Sequence, residues 1–292
     1  MIRGGTISGE RAATIMSFFR RARIVLGDAL GHLNDDDGWA MASHVALSLL
    51  MAVFPFLIFV AALAGFIGEA DLASRVASLL FETWPKEVAE PIADDVQSVL
   101  SQPHSGLLTI SVAITIYLAS NGVEAVRTAL NRAYRVRETR SFFHLRAQSL
   151  LFVIVGAVAS LVFAFLGVLG PVLFDWIARY VPEIEPFQTT FLFVRLIVTG
   201  LMLAVVLVSA HLWLPAGRPP AGSLWPGIVI TLSLWLLAAW VFGYYLQRFA
   251  NYAAYYAGLA SVVTAIFFMY LMALITIFGA ELNAALARRR EP

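Results

Sequence analysis

Hydrophobic and polar positions follow two different rhythms along this chain. From Ile15 to Leu33 apolar residues recur at helical spacing: Ile15, Phe18, Phe19, Ala22, Val25, Leu26, Ala29, Leu30 and Leu33. Arg20, Arg21 and Arg23 are interleaved. The spacing predicts an amphipathic helix, lying in the cytoplasmic interface or packed on the protein's own loops. From Trp39 onward the pattern changes to long uncharged runs separated by short polar segments. The last run, Leu259 to Gly279, has about twenty-one residues and makes a rod of about 31 Å, the thickness of a bilayer's hydrocarbon core. Runs at about 39–67, 107–126, 148–169, 189–213, 224–246 and 259–280 read as six spans. The second is the weakest, because the apolar core Leu107 to Ser120 is short and needs Asn121 to Val126 to continue its helix. Pro55 should kink the first span, Gly170-Pro171 should end the third, and Pro226 suits the first turn of the fifth. Glu69 to Gln102 reads as one or two short amphipathic helices outside the membrane. The predicted fold is all-α: a polytopic bundle of six transmembrane helices. Residues 1–38 form a cytoplasmic tail and interfacial helix, 39–287 the transmembrane domain and 288–292 a basic cytoplasmic tail.

Composition supports that reading. Of 292 residues, 60% are hydrophobic and only 13% charged, with a mean hydropathy of +0.80. Soluble proteins carry about 25% charged residues. A net charge of +1 gives no global field to draw nucleic acid. With no cysteine in the chain, disulfides and thiolate chemistry are excluded. The first fifteen residues lack an apolar core, so they are not a cleavable signal peptide, and the first span should act as its own insertion signal.

Orientation follows from arginine. Arg127, Arg132, Arg135, Arg137, Arg140 and Arg146 crowd one segment, and Arg288-Arg289-Arg290 ends the chain. Arginine-rich flanks stay cytoplasmic. The acidic stretches 69–102 and 175–188 then fall on the far side. Six spans satisfy this alternation with both termini cytoplasmic, whereas five would strand the arginine triplet outside.

Three segments resemble the YihY/BrkB family of bacterial inner-membrane proteins, once labelled ribonuclease BN-like. The first is Gly38-Trp39-Ala40-Met41-Ala42-Ser43-His44-Val45-Ala46-Leu47-Ser48, running to Phe54-Pro55-Phe56. The second is Asn131-Arg132-Ala133-Tyr134-Arg135-Val136-Arg137, leading to Arg140-Ser141-Phe142. The third is Arg248-Phe249-Ala250-Asn251-Tyr252, running to Gly279-Ala280-Glu281-Leu282-Asn283. The family usually shows Tyr-Gly and Trp-x-Tyr in that last segment, where Tyr256-Ala257-Gly258 and Met269-Tyr270 stand here. The resemblance implies a six-span inner-membrane protein with links to serum resistance and envelope phenotypes, for which transport has been suggested. It supplies no catalytic site.

Charges within spans need a reason, since burial in lipid is costly. Arg195, early in the fourth span, either binds an anion or headgroup inside the bundle, or snorkels outward or pairs with a carboxylate. Glu281 and Glu124 lie near cytoplasmic helix ends; Glu281 either pairs with Arg127 or Arg132 or serves as a proton or cation site. Asn121 and Asn283 should hydrogen-bond across helices. His44 is expected to be hydrogen-bonded inside the bundle rather than to relay protons. His211 is placed at the interface. Arg248 with Asn251 and Tyr252 is either an anion-selecting outer mouth or a helix C-cap. Arg127, Arg132, Arg135, Arg137 and Arg140 should orient the protein and touch anionic lipid.

Two functions compete. One is a transporter or flippase-like protein for an anionic or lipid-like substrate, with Arg195, Glu281, Glu124 and Arg248 converging on one cavity. The other is a non-transporting component that binds lipid or partner proteins and supports the envelope, with charges at the rims only. Enzymatic activity is not expected, because no cluster has metal-ligand or acid–base spacing. Nor is any cofactor or metal. The expected partners are membrane lipids, anionic on the cytoplasmic face, and not nucleic acid.

Overall fold

The computed structural model describes residue 20 and residues 23–67, 105–166, 170–217, 219, 221–253 and 259–289. The acidic segment 69–102 and the tail 1–14 lie outside the described residues. Eight α-helices make up the described chain, with no strand among the described residues. They are α1 (23–35), α2 (Gly38–Ile67), α3 (Ser105–Ala133), α4 (Phe142–Ala164), α5 (Gly170–Tyr180), α6 (Gln188–Trp213), α7 (Trp225–Ala253) and α8 (Leu259–Arg288). The 3₁₀ turns Pro182–Phe187 and Ala221–Ser223 precede α6 and α7.

Four of these helices contain stretches long and apolar enough to cross a membrane: Phe142–Phe163, Gln188–Trp213, Trp225–Leu246 and Val262–Arg288. The stretch of α2 whose side chains are described throughout, Gly38–Val53, is apolar but shorter. Much of the outer surface is large apolar side chains, with Met51, Ile197, Leu236 and Trp240 each about 70% exposed. So much bare hydrocarbon surface suits lipid, not water.

The core lies where α2, α3 and α8 cross. Ala42, Val45, Ala125, Ala129, Ala133, Ala273, Ile277 and Ala280 meet there. Alanine rather than leucine at a crossing lets helix backbones approach closely, and in a bilayer that van der Waals contact is a main source of association. Glycine does the same on α3, where a Cβ at Gly122 would stand 3.1 Å from side-chain atoms of Ala52 and Leu49. The helix α1 packs Val25 and Ala29 onto Leu282 and Ala285 of α8, with Ile24, Leu26 and Leu30 on its exposed side. The helix is thus packed on the protein, but on a helix and not on loops, with an apolar face left outward.

Some boundaries differ from expectation. The helix of the weak second run does continue through Asn121–Val126, and on to Ala133. The third starts earlier, at Phe142, where the Ser141 hydroxyl caps it by accepting the His144 amide, and it stops at Ala164. Gly170-Pro171 opens α5. Proline tolerates the first helical turn because its missing N–H has no partner there anyway. Pro226 uses the same rule in α7. Pro55 sits inside α2, which runs past it to Ile67.

Candidate functional site: a polar centre at the arginine-rich end

The basic segment turns inward. Arg127 is 2% exposed, held between α3 and α4. Its guanidinium donates to Glu124 Oε2 at 2.5 Å, Ser149 Oγ at 2.7 Å, the Leu145 carbonyl at 3.0 Å and Gln148 Oε1 at 3.3 Å. Ser149 Oγ in turn donates to Glu124 Oε1 at 2.9 Å. The expectation that Arg127 touches lipid is thus overturned. The helix continues past Val126, so Arg127 sits on a packed face. Arg146 follows the same rule: it donates to Ser120 Oγ and Asn121 Oδ1 and lies 4.1 Å over the Tyr117 ring. Asn121 therefore bonds across helices as expected.

Arg140 clamps α6. It donates to the Leu214 carbonyl at 2.7 Å and the Trp213 carbonyl at 3.3 Å, orphan acceptors at the end of that helix. Gln148 donates to the Trp213 carbonyl as well. Glu138 holds Arg140 in place at 2.7 Å. That hydrogen bond is the first cause of the Glu138 carboxyl's depressed pKa, about 2, against an ordinary 4.5. Asn131 links the same group, donating to Glu138 and accepting the Ala216 amide at 2.8 Å. Arg137 is exposed.

The end of α3 is a Schellman motif. The Val136 amide reaches the Asn131 carbonyl and the Arg135 amide the Arg132 carbonyl, each at 2.9 Å. Such a cap puts its C′ residue in the left-handed region, normally glycine's place. Arg135 takes it instead, at φ 55°. The strain, about 1–2 kcal/mol, is offset by what its side chain does. It grips Asp36, in the turn between α1 and α2, through Nε at 3.0 Å and Nη2 at 2.6 Å. Arg132 pairs with the neighbouring Asp37 at 2.6 Å, and Asp37 is itself left-handed at φ 51°. Two strained turns thus face one another across two ion pairs.

Glu281 of α8 lies behind this pair. It is 1% exposed. Its nearest cation is Arg135, at 3.8 Å, too far for a hydrogen bond. The expected partners Arg127 and Arg132 are taken by Glu124 and Asp37. Among the described residues, no donor reaches either carboxyl oxygen of Glu281, which has the Asp36 carboxyl beside it.

A second group of buried polar atoms adjoins it. Gly227 of α7 and Gly279 of α8 cross so closely that a Cβ on Gly227 would collide with the Gly279 carbonyl and the Asn283 side chain. A Cβ on Gly279 would strike Thr231. The contact is locked by Asn283 Oδ1, which accepts the Gly227 amide at 2.8 Å, so Asn283 does bond across helices. Tyr134 faces both Asn283 and Glu281, and burial raises its phenolic pKa. Its ring meets His211 edge-on at 6.1 Å. His211 is fully buried, with Nδ1 3.0 Å from the Leu207 carbonyl. His211 Nε2 and Thr231 Oγ1 also have no partner among the described residues. Sequence reasoning found Glu281 and Asn283 here; it missed Asp36, Tyr134, Thr231 and His211. The last four sit on four different elements and share no spacing in the chain.

The other sequence candidates fall elsewhere. His44 is exposed, on the face of α2 opposite the buried Ala42, Val45 and Ala46, so it is not hydrogen-bonded inside the bundle. Arg195 lines a cleft of about 340 Å³ with Asp175, Gln188, Thr189 and Phe191, between α5 and α6. From Arg195 to the α6 end clamped by Arg140 is about 27 Å along the helix. Arg195 and Glu281 therefore do not share a cavity. Arg248 and Asn251 lie near the end of α7, which stops at Ala253. Their side chains are outside the described residues. Among the described residues no group of three or more His, Asp or Glu side chains could hold a metal.

Known proteins place this arrangement. The virulence factor BrkB family matches residues 29–292. The chain belongs to that family. The chain is similar to a protein of Bacillus subtilis named "Putative ribonuclease-like protein YfkH", 26% identical over 255 residues, covering 87% of this chain and 92% of that protein. A UPF0761 membrane protein of Legionella pneumophila is 26% identical over 267 residues, 87% of this chain. Another, of Rhodospirillum centenum, is 24% identical over 273 residues, 91% of this chain. The chain spans about 60% of the length of these two UPF0761 relatives. No solved structure matches. The BrkB-family chain is thus a membrane protein with apolar membrane-crossing helices.

Proposed function

We propose that this BrkB-family chain is a six-span inner-membrane transport protein, flippase-like, for an anionic or lipid-like substrate, with both termini cytoplasmic. In this reading α2 and α3, of 30 and 29 residues, supply the two spans beyond the four most apolar ones. At 1.5 Å per residue each is about 43–45 Å long, sufficient to cross. The termini follow from the arginines that gather at one end.

One observation carries the transport reading: the make-up of α6. Polar residues meet in a cleft at its start, around Arg195 and Asp175. A shaft of exposed apolar side chains follows, including Val194, Ile197, Leu201 and Val205. At its far end lies the polar centre. A charged head with hydrocarbon tails would find matching surface along that line. The polar path once expected through one central cavity gives way to a lateral path along α6.

A second reading has its own support. Glu124 and Arg127 close on each other, and Arg195 stands at the opposite rim, as expected of a non-transporting component that binds lipid or partners. We read the chain as no enzyme under either function, and anionic lipid as the partner of the exposed Arg137. Purified protein in sealed vesicles containing fluorescent anionic phospholipid separates the two. Movement of label between leaflets, reduced at least severalfold by Arg195→Ala, supports transport. No movement of any anionic lipid supplied overturns it. Cleavage of RNA by the same preparation would overturn the non-enzymatic reading, and a reporter fused after Pro292 that is active only in the periplasm would overturn the topology.

A further inference from the structure

Glu281 is the least explained group in the molecule. An ionised carboxylate without hydrogen bonds in a buried site costs several kcal/mol. Asp36 and Glu281 compete for one cation, Arg135, and Asp36 holds it with two hydrogen bonds. Two carboxylates and one guanidinium leave a formal charge of −1 at a site where Glu281 is 1% exposed. Something positive has to neutralise it. A hard divalent cation takes about six or more oxygen ligands, and only two carboxyl groups meet here. One proton on Glu281 is sufficient.

We infer that Glu281 is a proton-binding site, charged and discharged by movement of the Arg135 guanidinium between Asp36 and Glu281. In the arrangement described, Arg135 sits on Asp36 and Glu281 is the neutral acid. When Arg135 swings across the 3.8 Å to Glu281, the acid releases H⁺ to water and becomes the paired carboxylate. The proton leaves past Asp36, whose side chain is 25% exposed. No other bond changes. Arg135 stands at a left-handed turn residue, and Asp36 beside another, so both partners are carried on strained turns. Strain of this kind collects at switching sites.

Other charged or titratable groups surround the site. Asp37 and Arg132 form the adjacent pair. Tyr134 faces Glu281 from the end of α3, with His211 of α6 behind it. On α1, Asp28 pairs with Arg289 and His32 faces Arg288. Asp28 and Asp37 are already paired, while His211 approaches through Tyr134. This leaves Asp36 and Glu281 as the two acids that share a cation. The site stands whether or not a substrate crosses the membrane.

The test is infrared difference spectroscopy of the full chain in lipid, titrated from acid to alkaline pH. A band from a protonated carboxyl is expected at neutral pH, lost in Glu281→Gln. In Asp36→Asn, Arg135 has only Glu281 to pair with, so the band should also vanish at neutral pH and return only at a pH lower by at least one unit. A neutral-pH band that survives Glu281→Gln, or that Asp36→Asn leaves unmoved, overturns the inference. So does a wild-type spectrum with no such band while circular dichroism shows the protein folded. A change in thermal stability with Na⁺ that Glu281→Gln abolishes would assign the site to a metal cation and equally overturn it. Vesicle transport is not part of this readout, so the two proposals fail separately.

Discussion

Replacing Arg127 by methionine separates a buried structural arginine from a lipid-facing one. The side chain makes four hydrogen bonds and is 2% exposed. Removing one member of a buried pair typically costs about 3–5 kcal/mol, because the remaining charge is left without compensation. Glu124 is 31% exposed and recovers part of its hydration, which argues for the low end, about 3 kcal/mol. Methionine also restores some apolar contact. At about 1.4 kcal/mol per decade, the folded-to-unfolded ratio should fall about a hundredfold. Denaturant unfolding in detergent micelles, followed by far-ultraviolet circular dichroism, reads this directly. The double variant Arg127→Met, Glu124→Gln removes the orphaned charge, so it should recover about 1–2 kcal/mol, within the range of measured coupling energies. A surface arginine would cost within about 0.5 kcal/mol. If Arg127→Met costs no more than that, the inward network is wrong and the arginine belongs with the lipid.

Three further outcomes follow from the packing and the charges. Gly227→Ala should destabilise the α7–α8 crossing by about 2–4 kcal/mol, from overpacking plus the strained Asn283 bond, whereas Gly243→Ala, whose Cβ meets nothing within 4 Å, should be near neutral by the same unfolding assay. Glu138 has a depressed carboxyl pKa, so its contribution to stability is present above its ordinary 4.5 and is lost as pH falls to about 2; Glu138→Gln should flatten the melting temperature across that window. On the cysteine-free chain, a spin label at Leu30→Cys should be reached by a lipid-soluble relaxing agent, while one at Val25→Cys should be shielded by α8.

The helices were legible because bilayer thickness writes itself into run length. Arginine density revealed which ends belong together. Direction was not legible. Arg127, Arg132 and Arg135 look alike in sequence, yet one turns into α4, one to Asp37 and one towards Asp36 and Glu281. That divergence depends on α3 running to Ala133 and then closing in a cap whose left-handed residue is an arginine. No glycine announces that cap, so the sequence reads as a basic loop. Asn283, a lone amide in an apolar run, was placed correctly as a cross-helix hydrogen bonder. His44 was misplaced because one polar residue in an apolar run has no visible phase until its neighbours' faces are known. The set around Tyr134 and His211 is assembled from α3, α6, α7 and α8, at distances in sequence that no local pattern encodes.

The helix α6 is fastened at one end. Arg140 and Gln148 hold its final carbonyls, and Leu207 and His211 are its buried residues, all within its last two turns or just beyond. At the other end Phe191 stacks on Phe174 of the short α5, and most of the intervening length exposes apolar side chains instead of packing them on protein. Such a helix behaves as a lever with its fulcrum at the arginine clamp. A thinner or thicker bilayer changes its tilt, and the torque arrives at Trp213, Leu214 and the Tyr134–His211 contact. If the helix spans the bilayer as proposed, a change in its tilt would load the contacts that stand next to Glu281.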